Sequence, residues 1–413
     1  MVIQRGEQFR VFGFADSSLD GETVTVEFKD QSADGIVENG EWSVTYPKAL
    51  EAETEGSDMT VRCGTKEITL KNILVGDVYM AVGQSNIAYT FDEAVTNSPE
   101  NYGGKNVVPD ESDPIRICNN GLVYQNAYPA QGSDEECKDI IQNGGWQKTS
   151  PESVKDFSAV GYFFARDIIE KTDGKIPVGI IEINGNGQAI NAFLPNEVSN
   201  ALKTDEKDSD GLYKTNYAGT KIPTRFMYNH YMRPFKHTAI AGMIWYQGES
   251  DFISGSYETY VDRFSALVEY MRQNSNLTNK NFPVFVTELP SMFNGTEEGW
   301  AFLPTAAVRA AMGLIPTAVD NTYMAATSDI WKDREHKNNL HPYCKYYIAK
   351  RLSALAGSVI YDGGGLNMTA GPQIKGYRLS EDKKSVTLYF DYVGKGLMSF
   401  ENGGIKGFLL NNN

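Results

Sequence analysis

The sequence predicts an α/β protein: a doubly wound parallel sheet that carries a small N-terminal β-sandwich and a short β-rich C-terminal segment. Three observations predict it. The first 75 residues are short runs of alternating polarity, from Gly76 the apolar runs become nearly continuous, and stretches with helical spacing separate them. Alternation fits strands with one wet face, and continuous apolar runs fit strands covered on both faces. A strand–helix succession requires parallel neighbours.

In the N-terminal part, "FRVFGFA", "ETVTVEF", "EWSVTYP", "DMTVRC" and "KEITLKN" are divided by polar turns, including the hairpin dipeptide Asn39-Gly40. These runs are expected to form a sandwich domain over 1–75. The buried strands of a main domain over 76–356 are "DVYMAV", "VGIIEI", "AGMIWYQ", "FPVFVTEL" and "TYMAATSD". Helices are expected in "FSAVGYFFARDIIEK", through Val160, Phe163, Phe164, Ile168 and Ile169. A second is expected in "SYETYVDRFSALVEYMRQ", through Tyr257, Val261, Phe264, Val268 and Met271. Residues 92–156 break the pattern with a polar, Gly/Asn-rich insertion of the kind that forms loops near a site. Over 357–413, "SVTLYFDY" and "IKGFLL" return to β character, too little for a separate domain, and are expected to pack on the N-terminal domain or the core.

A chain of 413 residues with 41% hydrophobic and 22% charged residues has the composition of a soluble globular protein of two or three domains. Its net charge of −15 argues against nucleic acid or an anionic membrane as partner, since both need a basic face. No stretch approaches the roughly 18 apolar residues of a spanning helix. Read as written, without a leader, the chain is expected in the cytoplasm; a removed leader would make it extracellular. Cys63, Cys118, Cys137 and Cys344 lack zinc-ligand spacing and read as free thiols, with Cys118–Cys137 the one bridge left open. No oligomeric state is readable.

Sites in open parallel sheets form beyond the carboxyl ends of the strands. After the first strand comes Gly83-Gln84-Ser85-Asn86. Asn184-Gly185-Asn186-Gly187-Gln188 and Gln247-Gly248-Glu249-Ser250-Asp251 follow two others, and a polar loop leads to His341. One rim thus receives a hydroxyl, an imidazole and turns rich in N–H donors, which is what acyl transfer requires. The bland alternatives are that Ser85 merely caps a helix, that His341-Pro342 starts one, and that Gln247 is a buried amide. His230 and His237, on "RFMYNHYMRPFKH", read as packing or surface residues.

The blocks "GDVYMAVGQSN", "PVGIIEINGNGQAINAF", "IWYQGESD" and "LHPYCKYYIAKRL" resemble, in order, those of the sialate O-acetylesterase-like family of SGNH-hydrolase carbohydrate esterases, whose core sheet is flavodoxin-like. The opening "MVIQRG" is also similar. The resemblance implies Ser85 as nucleophile and His341 as general base, and an oxyanion hole from the Ser85 N–H, an N–H of Asn186 or Gly187, and the Gln247 side chain. It implies a covalent acetyl-serine, an O-acetylated carbohydrate substrate, and no metal or organic cofactor. Sialic acid and acetylated plant polysaccharide such as xylan or mannan both remain open as substrates.

Two departures stand out. Gly185-Asn186-Gly187-Gln188 replaces the family's Trp-Gly-Gly-Thr. Where relatives place an aspartate shortly before the histidine, this chain has Asn338 and Asn339. A dyad, a carboxylate from Glu249, Asp333 or Glu335, or weak activity all fit. Glu249 also reads as a structural carboxylate under the site. Trp146 and Trp331, in loop segments, are candidates for stacking on a sugar. The rival reading is a catalytically impaired carbohydrate-binding protein on the same scaffold.

Overall fold

The computed structural model describes residues 1–97, 107–121, 136–139, 145–204, 214–217, 220–254, 256–274, 280–290, 305–328, 330, 340–362 and 371–397. The chain opens with β1 (Val2–Gln4), β2 (Arg10–Phe14), β3 (Thr23–Phe28), β4 (Gln31–Ile36), β5 (Glu41–Thr45) and β6 (Glu53–Cys63). Then comes β7 (Lys66–Gly83), a strand of 18 residues. β4, β3, β6 and the first part of β7 pair antiparallel in that order, while β2 and β5 form a ribbon of their own. Phe9, Val26, Phe28, Tyr46, Met59 and Val75 are buried in their common core. The alternation read from the sequence is visible in β3, where Val24, Val26 and Phe28 point inward. β4 was not expected, because "QSADGI" lacks strand formers. A tight turn with Lys29 at φ 56° folds it onto β3 from Phe28↔Gln31 to Thr23↔Ile36.

Beyond β7 follow α1 (Ser85–Ala88), α2 (Phe91–Asn97), β8 (Ile115–Asn119), β9 (Trp146–Lys148), α3 (Pro151–Lys155), α4 (Ala159–Lys171), β10 (Val178–Asn184) and α5 (Asn196–Leu202). Next come β11 (Lys214–Tyr217), β12 (Thr220–Pro223), β13 (Gly242–Tyr246), α6 (Glu249–Ser254), α7 (Tyr260–Asn274), β14 (Val284–Thr287), α8 (Thr305–Ala318) and β15 (Thr322–Ala325). α9 (Lys345–Ala356), β16 (Gln373–Leu379) and β17 (Val386–Asp391) complete the described elements. The central sheet runs β15-β14-β13-β7-β10-β8-β9, parallel except at β9. Without β8 and β9 its order is the 2-1-3-4-5 of a flavodoxin-like doubly wound sheet. β10 and β13 are buried at every position, as their nearly continuous apolar sequences require; the exceptions in β10, Glu182 and Asn184, are hydrogen-bonded to each other, and Glu182 also accepts from the Ser158 N–H.

Several expectations are corrected. The boundary at 75/76 is a change of partner within one strand: β7 pairs antiparallel with β6 as far as Val75 and parallel with β10 from Asp77. No linker separates the two regions. The 92–156 insertion is in part structural, since it supplies the buried β8 and the edge strand β9. The buried face of α7 centres on Tyr260, Phe264, Leu267 and Val268, turned slightly from the face read in the sequence. Pro342 does not begin a helix, because α9 starts at Lys345. The β16–β17 hairpin forms its own sheet and meets the edge of the core, where Gln373 Nε2 donates to the Met324 carbonyl at 3.5 Å. "IKGFLL" lies outside the described residues. All four cysteines are free thiols. No helix among the described residues is long and apolar enough to cross a membrane.

Asp77, buried where β7 changes partners, ties three segments together. Arg5 donates to it from Nε at 2.9 Å and from a terminal nitrogen at 3.0 Å, Gln4 Nε2 donates at 3.0 Å and the Tyr361 hydroxyl at 2.7 Å. Removing one partner of a buried ion pair strands the other, at a cost of about 3–5 kcal/mol. Arg5 keeps 28% side-chain exposure and rehydrates in part. Asp77→Ala is therefore expected to lose about 3 kcal/mol in urea unfolding, the lower end of that range; a loss below about 1 kcal/mol contradicts this role.

Candidate active site

Gly83 ends β7 at register with Tyr246 of β13 and Asn184 of β10. It has to be glycine: a Cβ there would lie 2.0 Å from the Tyr246 carbonyl oxygen. Without a side chain, the strand end packs flush on β13, and the chain turns at Gln84 into α1, whose first residue is Ser85. The first N–H groups of a helix have no intrahelical partner, so the Ser85 N–H is not consumed by α1. From the neighbouring strand end, Gly185 N–H donates to the Gly83 carbonyl at 3.0 Å, which holds the 184–188 turn beside Ser85. In that turn Gly187 has φ +71°, with open space where a Cβ would stand, and both Asn186 and Gly187 are half-exposed.

His341 arrives from the segment before α9. Its Nε2 lies 2.7 Å from Ser85 Oγ, a contact that spans 256 residues of sequence. Burial, and secondarily the positive charge of Lys345, lowers the His341 pKa from 6.5 to about 4. The ring is therefore neutral at pH 7 and able to accept a proton.

Below Ser85 lies a layer of buried polar side chains. Gln84 Oε1 accepts from Gln247 Nε2 at 3.2 Å and from the Ser250 N–H at 3.2 Å, while Gln84 Nε2 donates to Ser250 Oγ at 3.2 Å. Gln247 Nε2 also faces Asp251 Oδ2 at 2.6 Å and the Gln188 carbonyl at 3.1 Å. Gln247 is fully buried, and its amide protons are committed to these three acceptors. This corrects the expectation that its side chain is a free oxyanion donor; in this structure the amide is structural.

Glu249 is likewise not the residue that orients His341. Its Oε1 accepts a short hydrogen bond from Asn86 Nδ2, which also donates to the Leu340 carbonyl at 3.1 Å, and Asn86 Oδ1 accepts from Lys345 Nζ. Asn86 thus bridges a buried carboxyl and a buried ammonium. Desolvation drives them in opposite directions, Glu249 up to about 7 and Lys345 down to about 7. Lys345 Nζ also sits 4.8 Å from the centre of the Tyr89 ring and 5.4 Å from that of Tyr246.

The structure does not bring Trp146 to the rim. Its ring packs over Gly179, near the amino end of β10 and far along the strand from Asn184. Trp331, Asp333, Glu335 and Asn338 lie outside the described residues. Sequence reasoning missed Asn86, Lys345, Gln84, Gln188 and Asp251. Only two carried a signal: Asn86 adjoins Ser85, and Lys345 stands four residues after His341.

An open parallel sheet with a hydroxyl, an imidazole and backbone donors at the carboxyl end of its strands defines a hydrolase-type scaffold. Residues 75–345 match the model of the family described as carbohydrate esterase, sialic acid-specific acetylesterase. The chain belongs to that family. It is 24% identical over 323 residues to the human sialate O-acetylesterase, covering 73% of this chain and 56% of that protein. It is 24% identical over 370 residues to the mouse sialate O-acetylesterase, covering 79% and 64%. It therefore spans little more than half the length of the human relative. A crystal structure of a carbohydrate acetylesterase from Xanthomonas citri superposes with a TM-score of 0.73 at 23% identity, over 95% of this chain and 79% of that one, which shows the shared fold.

The depressed proton affinity of His341 is open to direct measurement. In an NMR titration of the histidine rings, His341 is expected to titrate near pH 4 rather than 6.5. Lys345→Met, which removes the neighbouring charge, is expected to move it upward. An unchanged midpoint in the variant removes Lys345 as a cause.

Proposed function

We propose that this chain is a serine esterase that removes O-acetyl groups from carbohydrate hydroxyls. The observation that carries the reading is the 2.7 Å approach of His341 Nε2 to Ser85 Oγ at the carboxyl end of β7. In this reading His341 takes the hydroxyl proton as Ser85 Oγ bonds to the ester carbonyl carbon. The carbonyl π electrons move onto oxygen, and the oxyanion is met by the N–H groups of Ser85 and of the Asn186–Gly187 turn. As the tetrahedral intermediate collapses, the bond to the sugar oxygen breaks and His341 returns its proton to that oxygen, leaving acetyl-serine. Water, deprotonated by His341, then attacks the acetyl carbonyl; the acyl–Oγ bond breaks, His341 returns the proton to Ser85 Oγ and acetate leaves. Family membership supports an O-acetylated sugar as substrate, with sialic acids and acetylated plant polysaccharides both left as candidates.

The experiment is hydrolysis of 4-nitrophenyl acetate and of O-acetylated sialic acid and xylan. Ser85→Ala is expected to abolish turnover. His341→Ala is expected to lose at least about a hundredfold, the lower bound of general-base catalysis. Brief incubation with substrate is expected to leave one acetyl group on Ser85, detectable by mass spectrometry. Equal rates for wild type and Ser85→Ala would leave the chain as a binding protein on this scaffold.

A further inference from the structure

A groove lined by Arg10, Lys138, Arg233 and Lys236 lies at the other end of the sheet from Ser85. The β2–β5 ribbon and residues 233–237 enclose its volume of about 500 Å³. Residues 233–237 precede the amino end of β13, whereas Ser85 follows the carboxyl end of β7 alongside it. Five strand residues, roughly 16 Å at about 3.3 Å each, separate the two levels. The groove is thus not part of the Ser85 rim.

Its lining combines two chemistries. Phe12, Phe14 and Trp42 contribute rings. Phe14 is 46% exposed, and the Trp42 indole lies so close over Gly13 that a Cβ there would come within 2.7 Å of it. Phe12 meets the His237 ring edge-on at 5.2 Å. Around His237 stand Arg10, Arg233 and Lys236, and the carboxylate facing it is Glu41. Arg233 is occupied by Glu136 at 2.6 Å, and Glu41 by Lys138. Arg10 and Lys236 have no acidic partner at ion-pair distance among the described residues, and Arg10 Nε is buried without an acceptor there. A protein with net charge −15 has carboxylates to spare. Glu38 and Glu41 also line the groove, and Lys236 feels Glu41 and Glu136 at longer range. Two cations without a direct ion pair beside the exposed Phe14 ring still match a ligand that brings its own anion and an apolar ring face.

We propose that this groove is a second carbohydrate site, specific for a carboxylate-bearing sugar: the rings of Trp42 and Phe14 take the pyranose face, and Arg10 and Lys236 take the carboxylate. The inference does not depend on Ser85 being a nucleophile. It would hold an acidic glycan on the enzyme without placing any ester at the rim.

The test separates binding from hydrolysis. Full-length Ser85→Ala is titrated calorimetrically with 3′-sialyllactose, digalacturonate and neutral lactose. At least one acidic probe is expected to bind, with lactose at least about tenfold weaker. Arg10→Gln with Lys236→Gln in that background is expected to weaken acidic-probe binding at least about tenfold. Phe14→Ala, at a surface-exposed ring, is expected to weaken it several-fold with the melting temperature unchanged. With Ser85 intact, the Arg10→Gln/Lys236→Gln enzyme is expected to hydrolyse 4-nitrophenyl acetate at the wild-type rate. Acidic-probe binding that survives the double substitution, binding of lactose equal to sialyllactose, or no binding of either acidic probe overturns the proposal. Absence of hydrolysis in the wild type overturns the esterase reading and leaves the binding result standing.

Discussion

Amides and carboxylates withdrawn from water must find partners, and that requirement organises the rim that carries the proposed chemistry. An unpaired buried amide costs a few kcal/mol, and a half-satisfied network is worse than an apolar one. Here Gln84, from the end of β7, is satisfied only if Gln247 and Ser250 stand where they do. Gln247 in turn needs Asp251 and the Gln188 carbonyl, and Asp251 accepts from the Ile190 N–H at 2.9 Å. Turns after β7, β10 and β13 are therefore locked in one mutual register. A second branch, Glu249–Asn86–Lys345, extends the lock to α9 and so to the segment that carries His341. The short approach between Ser85 and His341 is the outcome of this layer rather than an isolated contact.

The same strand that delivers Ser85 also pairs with β6 in the N-terminal sheet. β7 runs from an exposed antiparallel pairing at Lys66 to a fully buried parallel one at Gly83, and Asp77 marks the change with bonds to Gln4, Arg5 and Tyr361. A strand shared between two cores leaves no hinge between them. The β2–β5 ribbon is a separate sheet, so it joins this frame by packing rather than by strand pairing.

Much of this frame was legible because it follows from periodicity. The five parallel strands are nearly continuous apolar runs, as a sheet covered on both faces requires. The helix over Ala159–Lys171 follows from Val160, Phe163, Phe164 and Ile168, whose spacing only a helix turns to one side. What was not legible depends on partners rather than pattern. "QSADGI" has no strand character, and β4 exists because β3 offers it an edge. Gln247 carries the same residue name whether it faces an oxyanion or Asp251; only the neighbouring Gln84 and Asp251 decide, and they are 163 and 4 residues away. Trp146 reads as a loop aromatic, but β8 gives it a strand to pair with and Gly179 a space to fill. The site itself was legible as a set of strand ends, Ser85, the 184–188 turn and His341, because parallel topology sends all of them to one edge. Its supporting layer was not, since buried amides follow no period.

The electrostatics of that layer bear on how a weakly basic imidazole can serve as a base. With its proton affinity lowered to about 4, His341 is neutral at any physiological pH, so no fraction of the enzyme is lost to protonation. In the proposed reaction, the corresponding disadvantage is that the imidazolium formed during attack is disfavoured by the same burial and by Lys345. Two features offset it. The imidazolium appears together with an oxyanion, and at about 4 Å an ion pair gains about 4 kcal/mol at an effective dielectric of 20, against about 1 kcal/mol in water. Lys345 is also paired through Asn86 with Glu249, and desolvation pushes the two toward the same proton affinity near 7. Whether the proton sits on one or the other, the pair as a unit carries no net charge. Lys345, the lesser of the two causes that keep His341 neutral, therefore stands beside Glu249 as its counterion when charged. The field it exerts on the charged intermediate is that of a dipole, which falls off faster with distance than that of a free charge.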